Sequence, residues 1–472
     1  MADSPGDAAG ADAPPQYMAL TFPQQTQPLY TAYAEIAASG TACKHSNFLK
    51  GARWSPDGAC LLTASDDNWL RIYDLPQDAL ECPAVARTAV DGLRDAGDAE
   101  AAASDAASAE AASGSDGQGG MGDSLPVALR VQEGETIYDM AWYPLMSAAD
   151  PATCCFATTS RAHPIHLWDA CTGALRCTYR GFNDVDEVTP AFSTAFSADG
   201  SRLIGGYNKS FLMFDVSRPG RDYAKKVSTH AKRRPDESLP GMVSALAFSG
   251  YETGGHLVAV GSYGGGIALY DARTWEMTYL LKGHKGGVTQ VRFTPDGNFL
   301  LSGARQDGDL ICWDLREGCT GELYRMPRDT RSTNQRVGFS VEPCGRHVAT
   351  GGSGGCVRVF DLQTGRQVDD VRVSLDTVNG CDFHPNLNLL AVATGHRRYP
   401  ITSCNMDVDS SDAGSDADAE GEGRGGEAGG LGKRAGAADR SRVRGGGVEN
   451  AVRVLRLNYE MLDCLPGPEE VE

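Results

Sequence analysis

Gly283-His-Lys-Gly-Gly-Val-Thr-Gln-Val-Arg-Phe293, then Pro295-Asp-Gly297, Phe299-Leu-Leu-Ser302 and Leu310-Ile-Cys-Trp-Asp314 form one unit. An apolar run ends on an aromatic residue, a Pro-Asp-Gly turn follows, a second apolar run leads into a polar turn, and a third run closes on aromatic-Asp. Short alternating runs punctuated by Gly and Pro read as β-strands in a meander. Less regular copies close at Tyr73-Asp74, Trp168-Asp169, Phe214-Asp215, Tyr270-Asp271 and Phe360-Asp361, and a degenerate copy runs from Asn379-Gly-Cys-Asp-Phe383 to Leu457-Asn458. The intervals between closing positions are 95, 46, 56, 43, 47 and 97 residues. Four intervals suit one four-stranded unit each, and two exceed it by about 50 residues.

Both excesses coincide with biased composition. Residues 81–122 are almost all Ala, Asp, Ser and Gly, and 406–447 are Asp, Glu, Gly and Arg. Such stretches bury too little apolar surface to offset chain entropy and are expected as disordered insertions. One Gly-His to Trp-Asp unit and six less regular copies at this period predict an all-β fold, a seven-bladed WD-repeat β-propeller with disordered acidic, Gly-rich insertions. The expected organisation is a disordered N-terminus at 1–16, a propeller at 17–462 interrupted at 77–124 and 401–447, and an acidic tail at 463–472. A closed ring must borrow a strand across its ends. Met18-Ala-Leu-Thr-Phe22 or Leu29-Tyr-Thr-Ala-Tyr33 is expected to pair with Val452-Arg-Val-Leu-Arg-Leu457 and remove the exposed edge.

The chain has 62 acidic and 43 basic residues, a formal charge of −19. The insertions and termini hold about 26 of those acids against 8 bases, so the ring itself is near neutral. Its surfaces are therefore free of a global bias toward cationic partners. No apolar run approaches the roughly 20 residues of a membrane-spanning helix, and 1–10 lack a signal-like apolar core, so a soluble intracellular chain is expected. The 14 cysteines lack Cys-x-x-Cys spacing and read as reduced, mostly buried thiols. No phosphate loop, metal-ligand spacing or paired-carboxylate site stands out, so neither an enzyme nor a cofactor is expected.

In the best-formed repeat, His284, Ser302, Asp307 and Trp313 are placed to form a buried structural polar network. A hydrolase triad is not expected there, because this repeat uses these positions to fix its turns. Candidate ligand contacts come from register. Counting eight residues back from each closing Asp reaches the turn between second and third strands, which selects Arg161, Tyr207 and Tyr263, with Lys209 and Arg305 alongside and Arg397 in the last blade. The entrances to the innermost strands on the same face add Lys50, Tyr138 and Gln335. Cations interleaved with aromatic planes and amides suit unpaired RNA: phosphates pair with the charges and bases stack on the rings. Lys225-Lys226 and Lys232-Arg-Arg234 form a second basic feature, expected in a loop.

Several stretches outside the generic repeat carry a further resemblance. They are Asn47-Phe-Leu-Lys-Gly51, Asn68-Trp-Leu-Arg-Ile-Tyr-Asp-Leu-Pro76, Thr136-Ile-Tyr-Asp139, Ser160-Arg161, Arg218-Pro-Gly-Arg-Asp222, Gly303-Ala-Arg305 and Thr333-Asn-Gln-Arg336. With them the chain resembles the telomerase Cajal body protein family from about Asn47 to Arg398. The resemblance implies a nuclear, Cajal-body scaffold that binds a loop motif in small nuclear guide RNAs and telomerase RNA, with ribonucleoprotein proteins and telomerase components as partners. It implies no membrane and no small-molecule substrate. Two other readings stand beside it: a substrate receptor of a cullin-type ubiquitin ligase, suggested by Arg273 and Arg316 two residues after their closing Asp, and a peptide or histone-tail reader.

Overall fold

The computed structural model describes residues 16–21, 28–33, 47–80, 123–183, 185–230, 238–250, 256–316, 321–397 and 449–463. Among them, seven antiparallel sheets are arranged as blades. Blade 1 runs from its innermost strand Leu49–Trp54 through Cys60–Ser65 and Trp69–Asp74 to Leu129–Gln132. Blades 2 to 6 start on Ile137–Trp142, Ser193–Phe196, Val243–Phe248, Val288–Phe293 and Phe339–Val341. Blade 7 starts on Val378–Phe383 and continues through Leu389–Thr394 to Val452–Arg456. Among the described residues the one helix is the four-residue turn Gln77–Leu80.

Burial explains the strand patterning. Second strands such as Cys155–Ser160 and Leu389–Thr394 are buried at every position, because blades cover both faces. Outermost strands alternate with water and keep one anchor each, such as Leu281, Met326 or Val371. The core is accordingly divided into seven clusters, each between neighbouring blades. One of them packs Phe339 and Phe360 against Leu310 and Met326.

The ring closes through both N-terminal segments. Tyr30–Ala32 is the fourth strand of blade 7, with Tyr30 opposite Val454 and Ala32 opposite Val452. The earlier segment pairs with the continuation of the last strand: Gln16–Thr21 lies antiparallel to Asn458–Asp463. Leu20 from this ribbon is buried against Val357, Leu455 and Leu457. Blades 7 and 1 also meet at the axis, where the Trp54 amide donates to Asp382 Oδ2 (2.9 Å) and its indole to the Asp382 carbonyl (3.1 Å).

The insertion expected at 77–124 is narrower than its composition suggests. Gln77–Leu80 is helical, and Asp123–Ser124 adds a fifth, parallel strand to blade 7 beside Tyr30 and Thr31. Residues 81–122 and 398–448, which hold the rest of both expected insertions, lie outside the described residues, as do 1–15 and 464–472 of the expected termini. Lys225–Ser228 is the outermost strand of blade 3 rather than a loop, and Lys232, Arg233 and Arg234 lie outside the described residues. Of the nine free cysteines described, four are buried, three half-buried and two exposed, fewer buried than expected.

Candidate nucleic-acid interface

His284 lies at the head of blade 5. Its Nδ1 is 2.8 Å from Asp307 Oδ2 and its Nε2 2.7 Å from Ser302 Oγ, which also accepts the Trp313 indole N–H at 2.8 Å. Burial pushes the Asp307 carboxyl up, yet hydrogen bonds from His284 and the Lys285 amide bring it below its ordinary value. These groups hold the turn between second and third strands and do not open onto the channel.

Two further blades carry networks that their sequences disguise. In blade 2 the carboxylate of buried Glu133 accepts from Thr158, from Ser160 (3.1 Å) and from the Trp168 indole (3.1 Å), with His166 Nδ1 at 3.0 Å. In blade 1, Asp67 receives Arg71 (2.8 Å), Ser65 and Asn47 (3.1 Å). Blade 5 is thus not alone in fixing this turn with a polar network. Different side chains satisfy the same turn.

The seven innermost strands surround an axial cavity of about 860 Å³. Lys50, Tyr138, Tyr263, Arg305, Gln335 and Arg397 all line it, on the face bearing the turns between second and third strands. Lys50 Nζ stands 3.3 Å from Asp66 Oδ1, and Arg397 Nε stands 3.9 Å from Asp66 Oδ2. One carboxylate thus serves two cations. Burial pulls the Lys50 ammonium below its ordinary value despite that neighbour. The Tyr138 and Phe192 rings lie 5.7 Å apart on one wall. On another, Arg305 Cζ sits 5.7 Å from the centre of the exposed Tyr263 ring, and its terminal N–H reaches Asn334 Oδ1 (3.3 Å). Gln335 donates to Asn379 Oδ1 (2.7 Å), and Asn379 donates to the Leu49 carbonyl (2.7 Å), binding blade 7 to blade 1.

Three candidates lie elsewhere. Arg161 and Lys209 are exposed on their turns, outside the cavity lining. Tyr207 is 4% exposed and buried between blades 2 and 3, where Cβ atoms on Gly181 and Gly205 would lie 2.6 and 3.1 Å from its ring. Burial raises its phenol pKa, and it offers no stacking plane to a ligand. Arg273 and Arg316, which suggested a ligase receptor, fold back onto Asp271 (3.6 Å) and Asp314 (2.6 Å).

Register counting misses Arg336. From the connection between blades 5 and 6 it crosses the channel, donating to the carbonyls of Tyr138 in blade 2 (2.5 Å), Ser244 in blade 4 (3.0 Å) and Thr289 in blade 5 (2.8 Å). Burial lowers its pKa, yet the guanidinium remains charged and its hydrogen bonds go to carbonyls rather than a carboxylate. The sequence signal was its place in Thr333-Asn-Gln-Arg336, a stretch outside the repeat pattern.

A closed ring of seven such blades around an axial channel, with cations and aromatic rings lining one mouth, defines a WD-repeat propeller, a scaffold class. Comparison with known proteins agrees: the family model "WD domain, G-beta repeat" matches residues 40–74 and 275–314. The Cps50 (Swd1) β-propeller domain of Myceliophteria thermophila superposes with a TM-score of 0.52 at 16% identity, covering 74% of this chain and 94% of that one, a likeness of fold alone. Telomerase Cajal body protein 1 of Rattus norvegicus is 38% identical over 402 residues, 84% of this chain and 66% of that protein. The Bos taurus protein is 41% identical over 363 residues (75% and 59%), and the Drosophila melanogaster homolog 31% over 413 residues (84% and 66%). The chain belongs to the telomerase Cajal body protein family and spans about two thirds of the length of these relatives.

Proposed function

We propose that this chain is an RNA-binding scaffold that recognises an unpaired loop in small Cajal-body RNAs and telomerase RNA, and that it acts in the nucleus to bring those particles to Cajal bodies. The observation that carries this reading is the channel mouth, where Arg305 stacks toward exposed Tyr263 and the Tyr138–Phe192 pair lines the same cavity. Bases of an unpaired loop stack on such rings regardless of sequence, while Lys50, Arg305 and Arg397 pair with phosphates. Gln335 supplies an amide edge at the same mouth. Family membership supports the identity of the RNA, since the relatives are named for telomerase and the Cajal body. Recognition is passive: the ring preorganises the mouth, and ribonucleoprotein proteins and telomerase components dock on other faces. Ultraviolet crosslinking of the full chain in cells followed by RNA sequencing tests this. Small nuclear guide RNAs and telomerase RNA should be recovered, and an RNA-free eluate overturns the reading.

A further inference from the structure

The axial cavity continues toward the opposite face, where a second chemistry appears. The next-to-last residue of each innermost strand forms one ring: Arg53, Ala141, Ala195, Ala247, Arg292, Ser340 and Asp382 in blade order. Its two halves differ. Blades 2 to 4 contribute three consecutive alanines and leave space, whereas blades 1 and 5 send arginines into it from either side. Both side chains keep about two fifths of their surface exposed inside the channel, 43% for Arg53 and 42% for Arg292.

Each arginine has a carboxylate neighbour already committed elsewhere. Asp139 accepts the amides of Met140 (3.0 Å) and Thr194 (3.1 Å) and stands 3.5 Å from one terminal nitrogen of Arg53. Asp382 accepts the Trp54 amide (2.9 Å) and the Ser340 hydroxyl (2.7 Å), with one nitrogen of Arg292 at 3.2 Å. The carboxylates are tied to the scaffold; the same terminal nitrogen of Arg292 also reaches the Ser340 hydroxyl (3.1 Å), and the exposed part of each guanidinium fork faces the cavity that both residues line. Planar forks with open donors match a carboxylate bidentately.

We propose that this end of the channel is a binding site for a peptide carboxylate, held between Arg53 and Arg292 and seated over the alanine arc. Two features favour a peptide over a nucleic-acid backbone. The pairs Arg53–Asp139 and Arg292–Asp382 cancel in charge, and the turns that follow the innermost strands of blades 1, 3 and 5 carry Asp57, Asp199 and Asp296 rather than cations. A polyanion finds no net positive field there, whereas a single carboxylate needs only the open donors of the two guanidinium groups. An apolar neighbour is also accommodated: Pro144 lines the cavity, and Leu145 beside it is 55% exposed. The site is independent of the RNA reading and leaves the opposite mouth open for it.

The test screens the full chain against an array of random 12-residue peptides. The best binders are then measured by fluorescence anisotropy with a free or amidated C-terminus and with each Asp or Glu replaced by its amide. Binding should fall at least tenfold on removal of one carboxylate, and the two series show whether it is a side chain or the C-terminus. An equal loss is expected in Arg53→Gln with Arg292→Gln, and in Ala195→Leu, which fills the arc and leaves both arginines, with unchanged thermal unfolding of each variant. Failure of any peptide to bind, binding indifferent to these substitutions, or loss of single-stranded RNA binding instead of peptide binding in the arginine variants overturns the proposal.

Discussion

Arg161 in blade 2 and Arg305 in blade 5 occupy comparable turns yet differ in surroundings, and this difference can be measured. Arg305→Ala or Tyr263→Ala should weaken binding of a loop RNA about 5- to 100-fold, since stacking contributes roughly 1–3 kcal/mol per base. Arg161→Ala should change it less than about twofold, as expected of a surface substitution away from the ligand. Filter binding with folded variants checks both. His384 supports a pH prediction. Its Nδ1 accepts the amides of Asn386 (3.0 Å) and Leu387 (2.9 Å), so its proton lies on Nε2, 3.0 Å from the Gly58 carbonyl. Burial lowers its pKa from the ordinary 6.5, so on acidification the unfolded chain takes up the proton first. Stability therefore falls as pH drops below about 6.5, by up to about 1.4 kcal/mol per pH unit, until the folded ring also protonates. Urea unfolding at pH 7.5 and 5.5 should show this loss, and His384→Gln should shrink it. At this scale the sequence was legible along the strand but not around it. Counting from the closing Asp reached both Tyr263 and Tyr207, and only the paired glycines at 181 and 205 explain why the second ring turns inward.

Turns and networks decide the behaviour of each element. Gly58 has φ +81°, and a Cβ there would meet the His384 ring at 2.4 Å, so Gly58→Ala combines backbone strain with overpacking at the junction of blades 7 and 1. A loss of roughly 2 kcal/mol or more is expected, read as a lower urea midpoint at unchanged slope. His284→Ala should cost about 2–3 kcal/mol by leaving Asp307 buried with fewer donors. The strand order was legible because aromatic-Asp closures and Pro-Asp-Gly turns recur. The polar networks were legible only in blade 5, because Glu133 reaches its turn from the preceding outer strand, and Asp67, at the place of Asp307, is met by Arg71 and Asn47 where a template built on His and Trp does not look. Arg336 was invisible for a related reason: it belongs to a connection, where no period applies, and acquires its role by crossing to three other blades.

For the whole molecule, a formal charge of −19 suggests repulsion from RNA, but nearly all of the net negative charge lies in the insertions and termini, where acids outnumber bases, and not in the ring. Binding is expected to follow the local field at the mouth. With Lys50, Arg305 and Arg397 each neutralising one phosphate, the log–log dependence of affinity on salt should have a slope near about −2, from roughly 0.7 per phosphate on a single strand. A slope near zero would remove these cations from the interface. The count of seven was legible because two long intervals contract once their biased tracts are set aside, whereas the pairing of both N-terminal segments was not, since either strand satisfies the same alternation. That pairing also bears on how the protein is made. Tyr30 is translated long before Val454 and must wait for it, so the outer strand of blade 7 has no partner until the last repeat has been made. Until the last strand arrives, the nascent ring is an open arc with two bare edges, and a stalled or truncated product presents those edges to its neighbours on the same message.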